Sequence, residues 1–327
     1  MSAAIYSLLG FILSFLICSL VTAQLIPRLR AMKMGQKILE IGPVWHAPKE
    51  GTPTMGGIAF LFTVALTALV LTPFILQNHS AKTTFALVAT LLYCIVNGTI
   101  GIVDDLTKLR HKTNEGLTPT QKLILQTTLA AAYLALLRIT EILGTELYIP
   151  FLGDLHLGFF TYFVLLVYLV GITNCANLTD GIDGLAASVG SVIFVFLMTL
   201  SVFRDMLAPA LISALLFGCA LAFFFFNRHP ARIFMGDTGS LFLGSAVAAV
   251  PIILGSPLLG IICGIIYVLE GISVILQVLF YKKTKKRLFL MAPIHHHFEK
   301  CGWSENKIVL IFSISTALAC TLAVLLP

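Results

Sequence analysis

Charged side chains are scarce in this chain. They make up 11% of its 327 residues, whereas 58% of the residues are hydrophobic. A soluble globular domain usually carries about 25% charged residues. The composition therefore excludes an ordinary core with a hydrated surface, and it predicts a protein whose main solvent is the lipid bilayer.

Two common ligand-binding signatures are also missing. None of the seven cysteines has CxxC or CxH spacing, so we expect small packing residues rather than a zinc site or a disulfide. The phosphate-binding pattern GxxxxGK[ST] is absent as well, which excludes a P-loop enzyme.

The chain does contain ten apolar stretches, and crossing a bilayer takes about 20 residues of helix. These stretches occupy most of the chain, so we expect an all-α polytopic membrane protein with a single integral membrane domain over residues 1–327. Residues 144–157 alternate apolar and polar side chains around Gly-Asp, which predicts a small hairpin. The expected spans are 4–26, 55–76, 84–103, 121–143, 157–176, 185–203, 207–226, 239–254, 257–280 and 307–326.

The basic residues predict the orientation of these spans. With ten spans, 18 of the 21 Lys and Arg residues lie on one side, and only Lys82, Arg138 and Arg204 lie on the other. The positive-inside rule places the basic side in the cytoplasm and both termini outside. The net charge of +6 therefore reflects the orientation of the spans, and we expect no nucleic-acid partner. The basic cluster KKTKKR at 282–287 indicates contact with anionic membrane lipids.

Polar residues are concentrated at the predicted cytoplasmic ends of the spans. Five clusters on one face predict one convergent site in a cytoplasmic cleft, which a receptor or channel would not need. The clusters are HAPKEGTPTMGG (46–57), DDLTK (104–108), NCANLTDGIDG (174–184), FNRHPARIFMGDTGS (226–240) and APIHHHFEK (292–300).

Aspartates in three of these clusters carry most of the predicted chemistry, because carboxylates at membrane depth are costly and usually functional. Asp104 and Asp105 are about 100° apart on a helix, so one can face a metal while the other faces a reacting group. Asn177, Asp180 and Asp183 have i, i+3, i+6 spacing, which predicts one helix face. Clustered Asp and Asn oxygens suit Mg²⁺, and the flanking glycines allow backbone to approach a ligand such as phosphate.

A histidine triplet, His295 to His297, follows the ninth span. Three adjacent imidazoles cannot all bind one metal ion. We therefore favour hydrogen-bond donation to phosphate or sugar oxygens over an ordinary surface loop.

The motifs GTPTMGG, DDLTK, NLTDGIDGL, FNRHPARIFMGDTGS and APIHHHFE together resemble the phospho-N-acetylmuramoyl-pentapeptide transferase family. The histidine triplet selects this branch of the polyprenyl-phosphate sugar-1-phosphate transferases. The resemblance implies that undecaprenyl phosphate attacks UDP-N-acetylmuramoyl-pentapeptide with Mg²⁺ as cofactor and that UMP leaves. It also implies a homodimer in the bacterial cytoplasmic (inner) membrane.

Site roles follow from the same resemblance, position by position. It implies that Asp237 is the metal ligand and that Asp104, Asp105, Asp237, His295 and His296 are catalytic. Phe234 is expected to stack on the uridine, with Lys108 beside it. The full set implied to bind substrate is Lys49, Thr54, Lys108, Asn177, Asp180, Asp183, Asn227, Phe234 and His297.

Two alternatives remain open at this level. A sister enzyme that transfers N-acetylglucosamine-1-phosphate would share the acidic motifs, although the histidine triplet argues against it. A secondary transporter would place ionisable residues near the bilayer centre. Only Glu270 looks mid-span, and it is compatible with burial against another helix.

Overall fold

A computed structural model describes residues 2–32, 34–35, 49–111, 116–149 and 153–324. Within these residues, ten helices are long and apolar enough to cross a membrane, as predicted. The elements are α1 (Ala3–Ala31), α2 (Ile58–Asn78), α3 (Ala81–His111), α4 (Pro119–Ile139), β1 (Glu146–Ile149), β2 (Gly153–His156), α5 (Phe160–Thr179), α6 (Leu185–Phe203), α7 (Leu207–Asn227), α8 (Gly236–Ile253), α9 (Leu258–Cys263), α10 (Ile265–Thr284), α11 (Ile294–Lys300) and α12 (Glu305–Val324).

The helices differ strongly in burial. In the most apolar stretch of α8, 89% of the residues are buried, against 28% in α1. The outer helices expose large apolar side chains, such as Leu69 of α2 at 73% and Ile139 of α4 at 78%. Such a surface is stable only against lipid, so the predicted all-α membrane architecture is confirmed.

Helix α8 lies at the centre, packed against α3 and α5, while α7 packs against α1 and α6. Glycines allow this close packing. A Cβ on Gly57 would lie 2.1 Å from the backbone nitrogen of Gly239, and one on Gly101 would lie 2.3 Å from the carbonyl oxygen of Asp237. Gly57 and Gly239 belong to motifs whose glycines were expected to let backbone approach a ligand. In the fold, Gly57 lets the start of α2 approach the start of α8, and Gly101 does the same for α3.

Three segments differ from their predicted form. DDLTK follows the predicted span 84–103, but it lies inside α3, where Asp104 and Lys108 form an i, i+4 ion pair. APIHHHFEK was expected to be a loop, but α11 begins directly after Pro293, a residue that favours the start of a helix. The predicted span 257–280 is divided into α9 and α10 at Gly264, because glycine weakens a helix interior.

The hairpin predicted at 144–157 is present. Strands β1 and β2 pair antiparallel, with Glu146 opposite His156. Gly153 has φ +79°, a left-handed conformation that glycine adopts without strain. The hairpin connects α4 to α5, at the end of the bundle opposite to the end of α3 that carries Asp104.

Candidate active site

Four helices converge on the carboxylate of Asp237, in the first turn of α8. Its Oδ2 accepts hydrogen bonds from Lys108 Nζ of α3 at 2.9 Å and from Lys122 Nζ of α4 at 2.6 Å. Its Oδ1 accepts one from Asn177 Nδ2 of α5 at 2.9 Å. The partial positive charge of the helix N-terminus also favours a carboxylate here. Asp237 is therefore held as an anion from several directions.

Asp105 connects α3 to the same helix start. Its Oδ1 accepts a hydrogen bond from the backbone N–H of Asp237 at 3.2 Å, and its Oδ2 accepts from the N–H and Oγ1 of Thr238 at 3.0 and 2.7 Å. Asp105 thus satisfies N–H groups that a helix N-terminus leaves unpaired. Gly236 has φ +69°, and a Cβ there would lie 2.6 Å from Asp105 Oδ2, so the turn requires glycine.

Asp104 completes this cluster. Its Oδ1 accepts a hydrogen bond from Leu117 N–H at 2.8 Å. Its Oδ2 is buried and forms an ion pair with Lys108 Nζ at 2.6 Å. Carboxylate oxygens of Asp104, Asp105 and Asp237 lie within 4.8 Å of one another. Mg²⁺ prefers such oxygens, so the residues present fit a divalent metal.

We call Asp104, Asp105, Asp237, Lys108 and Lys122 the Asp237 centre. Lys122 is the member that the sequence analysis missed, since it was counted only as a topology charge. Its position contained a signal: α4 begins with a capping box at Thr118 and Gln121, which places Lys122 in the first turn. A cation is unfavourable next to a helix N-terminus, and this indicates a compensating acidic partner elsewhere.

A second group of charges lies around Asp183. Lys49 Nζ donates to Asp183 Oδ1 at 2.7 Å and also lies 2.7 Å from a carboxylate oxygen of Glu305, at the start of α12. Asp183 Oδ2 accepts from Ala231 N–H at 3.0 Å and lies 3.0 Å from His229 Nδ1. The Asp183 N–H donates to Glu305 at 2.9 Å. We call Lys49, Asp183, His229 and Glu305 the Asp183 centre.

The predicted single helix face of Asn177, Asp180 and Asp183 is wrong. Helix α5 ends at Thr179, and Asp180 is its C-cap. The sequence TDGIDG contains the reason, since its glycines do not sustain a helix and Gly184 adopts φ +79°. Asn177 therefore contacts Asp237, while Asp183 contacts Lys49 in the second centre.

Asp180 is electrostatically linked to both centres. Burial raises the pKa of its carboxyl well above the usual range, and the negative charges of Asp237, Asp105 and Asp183 raise that pKa further. Among the described residues its side chain has no hydrogen bond or ion pair that offsets this repulsion.

The three histidines have different surroundings. His295 is fully buried, with Nδ1 3.0 Å from Glu270 Oε2 of α10. The Nδ1 of His296 lies 2.5 Å from Glu299, and His297 accepts a hydrogen bond from a backbone N–H. His295 is therefore not exposed to a soluble ligand, and the catalytic roles of His295 and His296 stay predictions.

Asn227 joins two loops beside the centres. Its Oδ1 accepts from Gly184 N–H at 3.1 Å, and its Nδ2 donates to the carbonyl of Ile233 at 2.9 Å. The side chain is buried, and both of its polar ends are used. These contacts make Asn227 a support for the loops, while a contact with substrate stays a prediction.

The first loop is attached to the Asp237 turn by Phe234. The Phe234 N–H donates to the carbonyl of Pro53, and its carbonyl accepts from Gly56 N–H, both at 2.8 Å. This pairing brings the nearly buried Thr54 beside Gly236. The ring of Phe234 stays partly exposed, as its predicted contact with uridine requires. Substrate binding by Phe234, Thr54 and His297 stays a prediction.

Comparisons with known proteins agree with this geometry. Residues 85–255 match the model of glycosyl transferase family 4, a stretch that runs from α3 through α8 and includes all members of the Asp237 centre. The fold and the site thus define a polytopic membrane transferase of this family. Residues 49–61 also match signature 1 of phospho-N-acetylmuramoyl-pentapeptide-transferase.

Similar proteins with the name phospho-N-acetylmuramoyl-pentapeptide-transferase cover nearly the whole chain. One from Clostridium perfringens (strain SM101 / Type A) is 45% identical over 322 residues, covering 96% of this chain and 95% of the relative. One from Clostridium acetobutylicum is 44% identical over 329 residues, covering 99% of each. One from Caldicellulosiruptor bescii is 39% identical over 320 residues, covering 97% and 96%. The chain therefore belongs to the phospho-N-acetylmuramoyl-pentapeptide transferase family, which sets aside the transporter alternative.

Proposed function

We propose that this protein transfers phospho-N-acetylmuramoyl-pentapeptide from its UDP-linked donor to undecaprenyl phosphate. The reaction releases UMP and forms the first lipid-linked intermediate of peptidoglycan synthesis. The observation that carries the proposal is the Asp237 centre, which gathers three carboxylates and two lysines at one end of a membrane bundle. Relatives similar over the whole chain have this activity in their names.

Asp104, Asp105 and Asp237 are the residues that would hold Mg²⁺, which when bound would offset phosphate charge. Lys108 and Lys122 add positive charge that belongs to the chain itself. Each ammonium has three N–H donors, so it can bind Asp237 and phosphate oxygens together. The side chain of Lys108 is 31% exposed, which leaves it accessible to a donor nucleotide.

We favour direct attack by the lipid phosphate over a phospho-enzyme intermediate. A phosphate monoester has a second pKa of about 6, so the acceptor is already largely a dianion at neutral pH. Both oxygens of Asp105 and of Asp237 accept hydrogen bonds, which makes these carboxylates weaker nucleophiles. Positioning and charge stabilisation supply most of the catalysis in phosphoryl transfer.

Isotope exchange distinguishes the two routes. Delipidated enzyme is given the UDP-linked donor, Mg²⁺ and labelled UMP without lipid phosphate. Direct attack leaves the label in UMP until undecaprenyl phosphate is added. Lipid-independent exchange that disappears in Asp104→Asn would establish the phospho-enzyme instead.

We further propose that the site faces the cytoplasm, with both termini outside, as the distribution of Lys and Arg indicates. Single cysteines replace His79, Asp154 or Thr284 in a cysteine-free background, and intact cells receive an impermeant thiol reagent. We expect labelling at 79 and 154 but not at 284. Labelling at 284 from outside would reverse the orientation.

The function itself is tested with purified protein, undecaprenyl phosphate and Mg²⁺. UDP-N-acetylmuramoyl-pentapeptide is expected to give UMP and a lipid-linked product, whereas UDP-N-acetylglucosamine is expected to give neither. Release of UMP from the second donor alone would assign the chain to the sister activity. The proposed homodimer is tested separately, by the mass of the detergent-solubilised protein.

A further inference from the structure

A buried carboxylate–histidine pair remains outside the proposed chemistry. Glu270 of α10 is fully buried, and its Oε2 lies 3.0 Å from His295 Nδ1 and 3.4 Å from the His295 backbone nitrogen. Among the described residues, Glu270 Oε1 and both ring nitrogens of His295 have no hydrogen-bond partner, so Glu270 holds His295 through the backbone hydrogen bond and the close approach of Oε2 to Nδ1. An ionisable group within a membrane span is costly and usually serves a function, so this pair requires an explanation.

The other edge of the His295 ring contacts the loop between α5 and α6. A Cβ on Gly181 would lie 2.2 Å from His295 Nε2 and 2.7 Å from Cε1. Gly181 directly follows Asp180, and Asp183 comes two residues later. The position of the His295 ring therefore limits where the backbone of these two aspartates can lie.

Helix α10 holds the same segment at a second point. The hydroxyl of Tyr267, one turn before Glu270, donates a hydrogen bond to the carbonyl of Ala186 at 2.9 Å. Tyr267 is also fully buried. Thus α10 supports both ends of residues 181–186, through His295 at one end and directly at the other.

We propose that Glu270 is a positioning residue for the transfer reaction. By fixing the His295 ring, it sets the position of the Asp180 loop relative to the Asp237 centre. This inference rests on the proposed function, because it assigns Glu270 to the same site. Substituting an outer residue that orients a metal-ligating side chain typically lowers metal affinity or activity 10–100-fold.

The kinetic test compares Glu270→Gln, Gly181→Ala and the double variant with the parent, using full-length protein, undecaprenyl phosphate and Mg²⁺. Glu270→Gln keeps the size of the side chain and one acceptor oxygen. We expect kcat per folded molecule to fall about 10–100-fold, with KM for the UDP-linked donor changed less than about threefold. Since both substitutions displace the same His295 ring, the double variant is expected to lose less than the product of the single losses.

The matched control is Glu146→Gln in the hairpin. It removes a carboxylate–histidine pair of similar length, 3.1 Å to His156, that is exposed and far from the site. We expect no change in kcat. Full additivity in the double variant, or an unchanged kcat in both single variants, would overturn the proposal.

A second readout does not depend on turnover. Hydrogen exchange of peptides covering residues 180–186 is expected to be faster in Glu270→Gln and in Gly181→Ala, and unchanged in Glu146→Gln. If the parent protein shows no transfer activity and the exchange pattern still appears, the proposed function fails and the positioning contact stands. If Glu270→Gln does not fold, Gly181→Ala alone decides, and unchanged exchange in that variant would overturn the inference.

Discussion

The Asp237 centre and the Asp183 centre have similar compositions but different construction. Each contains three potential metal-ligating side chains within 4.8 Å of one another, with at least one lysine beside them. In the Asp237 centre the members lie on packed helices, and the two lysines of the centre form ion pairs with Asp104 and Asp237. In the Asp183 centre both oxygens of Asp183 have partners in the first loop and in the loop after α7.

This difference indicates that the two centres have different roles. Packed helices hold three carboxylates at a fixed spacing, which suits a metal ion, because sites on helices are positioned more precisely than sites on loops. In the Asp183 centre both oxygens of Asp183 already have partners, and the hydrogen bond from Lys49 to Glu305 connects the first loop to the start of α12. We therefore expect substitutions in the Asp237 centre to affect turnover and substitutions in the Asp183 centre to affect mainly stability.

Asp237→Asn should cause the largest loss of turnover. The amide keeps the shape of the carboxylate but loses the charge that faces the metal and both lysines. We expect turnover to fall by about 10³-fold, the upper end of the cost of removing one preorganised electrostatic group, while the variant still folds and inserts into the membrane. UMP release at saturating and limiting Mg²⁺ measures this. Asp154→Asn, in the exposed hairpin, is the control, and near-normal activity at limiting Mg²⁺ would contradict the assignment.

Lys122→Ala tests the residue that sequence analysis missed. Its Nζ lies 2.6 Å from Asp237 Oδ2, closer than that of Lys108. Removing this charge should lower kcat by about 10²-fold, while Lys122→Arg should retain part of the activity. Lys82→Ala, an exposed lysine at the opposite end of α3, is the control. If kcat of Lys122→Ala equals that of the parent, Lys122 pairs with Asp237 in the free protein but takes no part in turnover.

These contacts show how far the sequence could predict the structure. The ten spans depend on local composition, and the Asp237 motif depends on a short pattern, so both were predictable. The bond between Lys122 and Asp237 joins residues 115 positions apart, and no local pattern encodes that pairing. The same holds for Glu270 with His295 and for Glu305 with Lys49. The helical face at Asn177 failed because glycine ends α5, which spacing alone did not reveal.

Glu305→Gln tests the Asp183 centre, where we expect a loss of stability rather than of turnover. It weakens the bonds to Lys49 and to the Asp183 backbone but leaves Lys49 paired with Asp183. We expect the free energy of unfolding to fall by about 1.5–3 kcal/mol, the usual range for hydrogen bonds to charged groups, with kcat within about tenfold. Chemical denaturation in detergent measures it, with the exposed Glu50→Gln as control. A large loss of kcat at unchanged stability would place the Asp183 centre in the chemistry.

Asp180→Asn addresses the carboxylate that lies between the two centres, and we expect the smallest effect here. Burial and three neighbouring negative charges raise the pKa of Asp180 in the folded protein. The folded state therefore binds a proton at pH values where the unfolded state, with an ordinary Asp pKa of about 3.9, has lost it. By linkage, this group lowers stability as pH rises through the window between the ordinary and the raised pKa. Asn cannot ionise, so the variant should escape this loss.

The variant should thus melt at a higher temperature than the parent at pH 8, and the gap should close as pH falls towards the ordinary Asp pKa. Its turnover should fall, because a repelled carboxylate in this position is retained for activity at a cost in stability. Thermal unfolding in detergent from pH 5 to pH 8 measures the gap. Asp154→Asn should show no such pH dependence, since that residue is exposed in the hairpin. Parallel curves for Asp180→Asn and the parent would mean that the repulsion from Asp237, Asp105 and Asp183 is already relieved in the folded protein.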